Sequence, residues 1–522
     1  MNEQILEKYS EIPAEKFKFA SAEEKIHDQK FDTKPVGYFR DAFRRFCKNK
    51  ASVAGAIIIL LIVLYAFVVP LLTFKYDASF VDAYYAKLGP RNLTLSKIGL
   101  ANGGVKSEVN EKDYIRLLAL GIAAEDPDGT GATWEDGEKS KYNPVLKVKD
   151  NYKFMGNSWF VLTVDSYYEK GFVYMQLTPD AFNDIIAWEK ESGIRVIYPY
   201  IDTTNGYCFD ASNANYWYKT DSKFNPVVTS SGSDVIIQHA GESQLEDNYL
   251  RDADGNVQYY VNVGGTATTE PARSTRILYY NYYIYKNGFE PEYLLGTDSQ
   301  GYDLSLRLAQ GIKLSLLVAV AVSVINLSIG AIYGAVEGYY GGAVDMTLER
   351  ISDILAGIPF IIVATLFQMH LAQKWGAIPS LLFAFVLTEW IGTASTVRTQ
   401  FYRFKNQEYI LAARTLGAGD GRLMFKHILP NALGTIITSS VLVIPSVIFS
   451  ESMLSYLGIV KLGGTSGTSL GTLLSDASSI WTNYPHLMIV PALVISLLMI
   501  SFNLFGNGLR DAFNPSLRGS EG

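Results

Sequence analysis

Six stretches of the chain are apolar for long enough to cross a bilayer as helix: Ala51–Phe74, Leu314–Val336, Ile354–Leu371, Ile378–Val397, Asn431–Ser450 and Leu487–Leu509. A helical crossing needs about 20 such residues. The first, second and last stretches hold no Asp, Glu, Lys or Arg; the third is the shortest, and the fourth contains Glu389. This pattern predicts an all-α polytopic membrane protein with six transmembrane helices. The first stretch follows hydrophilic residues 1–50 and is too long for the apolar part of a signal peptide, so it reads as an uncleaved first span over 51–74.

Between the first two spans the pattern changes. Residues 75–295 are polar and rich in tyrosine, with β-forming runs such as "NYWYK" (215–219), "QYYVNV" (258–263) and "ILYYNYYIYKNG" (277–288). They predict an inserted, mostly β domain. "YLRDADGNVQYYVNV" reads as a hairpin turned on Asp254-Gly255. "TPDAFNDIIAWEKESG" reads as a helix with Thr178 at its N-cap and Gly193 ending it. The tyrosines are assigned to strand packing rather than to a peptide-binding face.

Charge separates the same two bodies. The chain carries a net −7, but residues 75–300 hold 21 Lys and Arg against 31 Asp and Glu, a net −10, which leaves the remainder at +3. No basic surface suggests nucleic acid. With the N-terminus inside, fourteen Lys and Arg flank the inner span ends and four the outer. That bias predicts cytoplasmic termini, a tail over 1–50 with an amphipathic basic end, and an extracellular insert. Two cysteines, Cys47 and Cys208, give no disulfide framework.

Catalytic and metal signals are weak. Asp126 and Asp128 have calcium-loop spacing, but Gly137 stands where a bidentate Glu is needed. His239 and Ser243 lack a Gly-x-Ser-x-Gly context. The dipeptide Gly-Lys is absent, so no phosphate-cradling Gly-x-x-x-x-Gly-Lys loop is possible. No metal, cofactor or catalytic residue is assigned. Within the spans, Glu389, Asn326 and Gln368 are the polar candidates for a transport path, since polar groups there are costly and usually face protein or water. Glu451 reads as a structural contact near the outer end of the fifth span. Gly330, Gly334 and Gly338 have the spacing of a close helix contact, inside the chain or with a sister subunit. The glycine- and serine-rich segment 463–481 is expected to dip back as a short helix.

The inner loop 398–431 carries the most specific pattern. "EYILAARTLGAGDGRLMFKHILPN" (408–431) reads as helix, glycine bend, a second short helix capped by Asp420, then Pro430 at the start of the fifth span. Ala412 and Ala413 are small enough to let another surface approach.

"LAARTLGAGDGRLMFKHILPN" resembles the coupling loop of ATP-binding-cassette importer permeases, in the form found in the peptide and nickel group. Ala412, Ala413, Gly417, Leu429 and Pro430 match that pattern, while Leu411 replaces its Glu. "LLGTDSQGYDLSLRLAQGIKLSLLVA" (294–319), "GYYGGAVDMTLERISDILAGIP" (338–359), "SESMLSYLGI" (450–459) and "FNLFGNGLRDAFNPSL" (502–517) resemble segments of the C-type subunit of oligopeptide and dipeptide importers, although Asn507 and Asn514 stand where that family usually has Asp. The resemblance implies a type I importer permease core over 296–522, with Ala412, Ala413, Arg414, Gly417, Ala418, Asp420, Leu429 and Pro430 engaging a separate ATPase. It also implies the partners: a second permease, two ATP-binding cassette subunits that hold ATP and Mg, and an extracellular substrate-binding lipoprotein at a bacterial plasma membrane. Peptides are the expected cargo. Nickel, opines or oligosaccharides remain open, as does a membrane-anchored extracellular sensor or an enzyme acting through the insert.

Overall fold

The computed structural model describes residues 38–72, 80–125, 140–201, 207–209, 216–219, 236–239, 249–265, 270–464 and 467–513. Five helices are long and apolar enough to cross a membrane: Lys50–Leu72, Leu304–Tyr340, Ala377–Phe404, Asp420–Tyr456 and Pro485–Phe513. Two further helices, Gly342–Ala356 and Phe360–Trp375, meet the same test only together and are bent by 72°; counted as one broken span they bring the crossings to six. Here the structure corrects the single run expected over 354–371. Gly357 closes the first helix, and Pro359 has no N–H to continue the ladder and restricts Ile358 before it. The fourth span also divides, into Ala377–Thr388 and Trp390–Phe404, with Glu389 at the join.

Glycines set how closely the spans approach. A Cβ on Gly330, Gly334 or Gly338 would lie 2.7 Å from Thr393 Cβ, 2.2 Å from Ala394 O and 2.7 Å from Arg398 O. The stripe on the second span therefore seats the fourth span of the same chain, which leaves none of it for a sister subunit. Gly55 on the first span meets Ser501 of the sixth in the same way. Gly334→Val is expected to reduce the yield of folded, detergent-soluble chain severely, because a branched side chain would push against backbone rather than a movable side chain. Size-exclusion profiles of solubilised protein check this.

Among the described residues the insert contains three antiparallel sheets. The first has the order β1 (Gly104–Asn110), β3 (Asn157–Asp165), β2 (Val145–Phe154). The tight link between β2 and β3 is Met155-Gly156, both with positive φ, as a two-residue hairpin turn requires. In the second, β10 (Ala272–Leu278) pairs with β4 (Phe172–Leu177), with β5 (Ile197–Tyr198) and with β9 (Tyr260–Val263). A third set, β6 (Tyr207–Phe209), β7 (Tyr216–Lys219) and β8 (Ile236–His239), is antiparallel. The expected helix forms over Pro179–Ser192, with Thr178 accepting from Ala181 N at 3.2 Å and Gly193 left-handed. The hairpin turn spans Asp252–Asn256 with Gly255 at φ 84°, but its limbs are short, and β9 leaves to pair with β10.

One strand expectation fails. "ILYYNYYIYKNG" ends as strand at Leu278 and continues as the helix Tyr279–Asn287. Tyr279, Tyr280 and Tyr283 share its buried face, a helical repeat that overrides the β preference of tyrosine. They join Tyr85, Tyr142, Tyr167, Tyr198 and Tyr293 in one aromatic core. Arg91 is buried among them, its guanidinium 4.7 Å from the Tyr167 ring centroid and 5.4 Å from that of Tyr280. These tyrosines pack a core, but Tyr279, Tyr280 and Tyr283 do so from a helix rather than from the strand expected, and the side chains of Tyr216 and Tyr218 lie outside the described residues. Asp126, Asp128 and Ser243 lie outside the described residues, as does the His239 side chain.

The segment before the second span joins insert to membrane core. Thr297 Oγ1 accepts from Leu88 N at 2.9 Å and donates to Tyr85 O, while His486 of the sixth span meets Leu88 O at 3.0 Å. Asp298 accepts from Tyr302 N at 3.0 Å and from Arg307 Nε at 3.3 Å; Asp303 caps the second span through Ser305 N. A Cβ at Gly296 would sit 2.2 Å from Leu88 O, and one at Gly301 2.0 Å from Asp82 O; both have φ above +80°. This part of the sequence is a socket for residues 81–91.

Candidate coupling elbow

The elbow begins at Gln407, whose extended backbone starts the helix Glu408–Thr415. Leu416 N donates back to Ala412 O, and Gly417 adopts φ 85°, the left-handed turn that ends a helix most cheaply with glycine. Gly419, extended, then starts a new helix at Asp420. The expected cap by Asp420 is not made. Its carboxylate instead accepts from Tyr339 Oη at 2.6 Å. Nor is the second helix a separate piece: Asp420–Tyr456 runs as one helix into the fifth span. A wide turn over Leu423–Ile428 comes just before Pro430, with Leu429 N reaching back to Met424 O. Such a bulge accommodates the proline, whose ring clashes with the carbonyl four residues back in a regular turn.

The elbow has two unlike faces. Inward, Ile410, Leu423, Met424 and Ile428 are buried with Val397 and Phe401, and Ala413, Ala418 and Leu429 pack against them. Outward, Ala412 and Pro430 are exposed, and Leu416 is 88% exposed beside the half-exposed Leu411. A Cβ on Gly417, Gly419 or Gly421 would meet nothing within 4 Å. The glycines therefore leave a bare outer surface and are not required by packing within the chain. Ala413→Asp would place a carboxylate against the inner cluster, so Ala412 and Gly417 are the positions that report on the outer face alone.

Polar contacts tie the elbow to two spans. Arg414 Nη2 donates to Tyr339 Oη at 3.3 Å, so Arg414 and Asp420 grip one tyrosine at the end of the second span. Lys405 Nζ donates to Gly338 O at 2.9 Å. Burial lowers the Lys405 ammonium, and Asp345 offsets part of that. Burial raises the Tyr409 hydroxyl, while the Asn431 amide that donates to it at 3.3 Å opposes the rise. Just above lies a contact that the sequence pattern did not single out. Arg398 of the fourth span donates to Asp345 at 2.6 and 2.9 Å and to Glu349 at 2.9 and 3.0 Å, with Glu337 of the second span at 3.7 Å. Tyr402 Oη adds a bond to Asp345 at 2.6 Å. Three acids spaced along "VEGYYGGAVDMTLER" were the available signal.

The polar span residues do not form one site. Gln368 Nε2 donates to Ala377 O at 2.9 Å, closing the turn between two helices. Asn326 is fully buried, and its amide meets no hydrogen-bond partner among the described residues. Glu389 is half-buried, and its carboxylate has no partner among the described residues. Glu451 is fully buried, accepting from Ser315 Oγ at 2.9 Å and Ser455 Oγ at 3.0 Å, a structural contact between the second and fifth spans. The segment after it folds into the short helix Leu470–Ala477, capped by Ser469, and Gly471 presses on Ser452.

Comparison with known proteins matches residues 330–519 to the model of the binding-protein-dependent transport system inner membrane component. Residues 37–90 match the N-terminal membrane domain of oligopeptide transport permease C. The oligopeptide transport system permease protein OppC of Bacillus subtilis is 40% identical over 227 residues, covering 44% of this chain and 73% of that protein. This chain belongs to that permease family. The dipeptide permease protein DppC of Lactococcus lactis is 39% identical over 235 residues, 44% of this chain and 67% of the relative. An inward-facing MetNI methionine ABC transporter overlaps 40% of this chain and 96% of its own at 17% identity, with a TM-score of 0.33, too loose a match to carry an argument. The elbow and the Arg398 contacts fall inside the matched part of this permease. Most of the insert, 91–329 being unmatched by either family model, falls outside it.

Proposed function

We propose that this permease forms half of the transmembrane path of an ATP-driven peptide importer, and that separate ATPase subunits grip the elbow 398–431. The observation that carries the reading is the two-faced elbow: a bare outer surface with exposed Leu411 and Leu416, and an inner surface fastened to the second and fourth spans. Force applied outside is passed to the membrane helices because the fifth span starts within the elbow itself. A nucleotide can shift such a lever only by binding two states differently, and here it does so through the docked subunit. The relatives named for oligopeptide and dipeptide transport favour peptide cargo. The charge bias favours an elbow and termini in the cytoplasm and an insert outside. A second permease, two ATP-binding cassette subunits carrying ATP and Mg, and a substrate-binding lipoprotein complete the assembly. Reconstitution in vesicles tests it: peptide uptake is expected only with the ATPase subunits and ATP. Uptake by the permeases alone, or uptake of nickel in place of peptide, would contradict the reading.

Glu389 is the path residue of this proposal, an unpartnered carboxylate at a break in a span, suited to a peptide ammonium. Glu389→Gln is expected to raise KM for peptides with a free N-terminus by about tenfold, the size of one charge-assisted hydrogen bond. Peptides with an acetylated N-terminus should be unaffected.

We infer for the insert a role at the outer mouth: docking the binding protein, covering the pore or handing over substrate. Arg91 N donates to Tyr293 O at 2.8 Å, so the two ends lie together and 92–292 can be excised and the ends rejoined, at the loss of the tyrosines that pack on Tyr85 and Arg91. The excised permease should reach the membrane and lose association with the binding lipoprotein in pull-down. Unchanged uptake and association would remove the insert from this role.

A further inference from the structure

Where the first and sixth spans end, a cavity of about 440 Å³ is lined by carbon-rich side chains, among them Phe43, Phe46, Phe505, Leu509 and Phe513. One wall is the helix Tyr38–Lys48. Ala42 and Phe46 bury its inner face against the sixth span, with Phe46 edge-on to Phe505 at 5.4 Å between centroids. Asn49 breaks this helix from the first span and caps that span through Ala51 N and Ser52 N. The break fixes the short helix where the apolar span begins, at the level where hydrocarbon gives way to headgroups.

The other faces of the helix are unlike the first. Phe43 is 68% exposed at the mouth of the cavity. Arg40, Arg44 and Lys48 follow at intervals of four, all exposed, so they form one stripe beside Phe43. The described acids on these helices are Asp41, held by Arg45 at 3.0 Å, and the exposed Asp511, which follows the exposed Arg510 in the sixth span. Arg40 and Arg44 meet no acid among the described residues, so the stripe keeps a positive character.

We propose that this cavity and stripe are a binding site for one anionic phospholipid, an acyl chain lying against the phenylalanines and the phosphate at Arg40, Arg44 and Lys48. The spans that form the cavity meet the bilayer, which supplies hydrocarbon at this depth, and the adjacent cations select the headgroup. A basic amphipathic helix next to a span is a recognised arrangement for anionic lipid. The inference concerns the lipid environment and does not depend on the cargo or on which subunit grips the elbow.

The full-length chain is prepared with benzoylphenylalanine in place of Phe43 and incorporated into nanodiscs of phosphatidylglycerol and phosphatidylcholine in equal parts. After illumination, mass spectrometry is expected to find the phosphatidylglycerol adduct at least about tenfold over the phosphatidylcholine adduct, given the selectivity several cations confer. In the Arg40→Gln/Arg44→Gln/Lys48→Gln background that preference should vanish. In an Arg350→Gln/Arg403→Gln/Arg422→Gln control it should persist. Equal labelling of both lipids without the triple substitution would overturn the proposal. So would a cross-link to residues 1–37 of the chain itself, which would make the tail the occupant. Native mass spectrometry of the unmodified chain with phosphatidylglycerol gives an independent reading should the photo-reactive variant fold poorly, and no retained lipid there would also overturn it.

Discussion

Gly417→Asp is expected to lower peptide uptake by about thirtyfold or more, the effect of losing roughly 2 kcal/mol at the centre of an interface, with normal amounts of permease in the membrane. The φ of 85° at this position favours glycine, but aspartate is among the few other residues that visit the left-handed region, at about 1–2 kcal/mol. Nothing within 4 Å obstructs a Cβ there. The fold should therefore survive. What changes is the outer face, where a desolvated carboxylate would lie beside Leu416 in the proposed contact with the ATPase. Gly417→Ala separates the two effects, since it carries the backbone strain without the charge and should keep most of the uptake. Uptake assays with immunoblots of membrane fractions check both, and an alanine variant as inactive as the aspartate variant would assign the loss to strain.

Arg398→Ala is expected to have the second large effect. The side chain holds Asp345, Glu349 and Glu337, and its removal leaves the buried Glu337 without its cation and Asp345 with only the Lys405 charge nearby. Breaking a buried pair from one side costs about 3–5 kcal/mol. Glu349 is half exposed and adds little, so a loss of about 3 kcal/mol is reasonable here. Thermal unfolding in detergent should show a midpoint lower by about 5–10 °C, from the usual dependence for a core of this size. Because Arg398 joins the second and fourth spans to the helix Gly342–Ala356, the assembled transporter should hydrolyse ATP yet move little peptide. Arg398→Lys keeps the charge but not the fork of donors, and should fall between. A midpoint within a degree of the parent would show that the cluster is not a clamp.

The membrane core was legible in the sequence because a span has a minimum length and must be apolar: four of the six expected runs lie within long helices, and a fifth, Ala51–Phe74, is helical as far as Leu72. The break at Gly357 and Pro359 was written in those two residues, but its 72° bend depends on the helices packed around it. The elbow's bend at Gly417 was readable from backbone preference. The role of Asp420 was not, because a cap is local whereas Tyr339 is brought to it by the second span. Arg398 was missed for the same reason: its three acids lie more than forty residues away in sequence, and only the glycine stripe at 330, 334 and 338 brings them into reach. Tyrosines 279, 280 and 283 show the limit of propensity, since burial of one helical face outweighs their preference for strand.

The central claim is that the outer face of the elbow is gripped by a nucleotide-driven subunit in the cytoplasm. Leu416→Cys, in a background with Cys47→Ser and Cys208→Ser, tests it by thiol cross-linking within the assembled transporter. A cross-link to the ATPase subunit, changed in yield by ATP, is expected, with no labelling of intact cells by a membrane-impermeant maleimide. Labelling from outside, or a permease active in uptake with no ATPase within reach of that thiol, would contradict it.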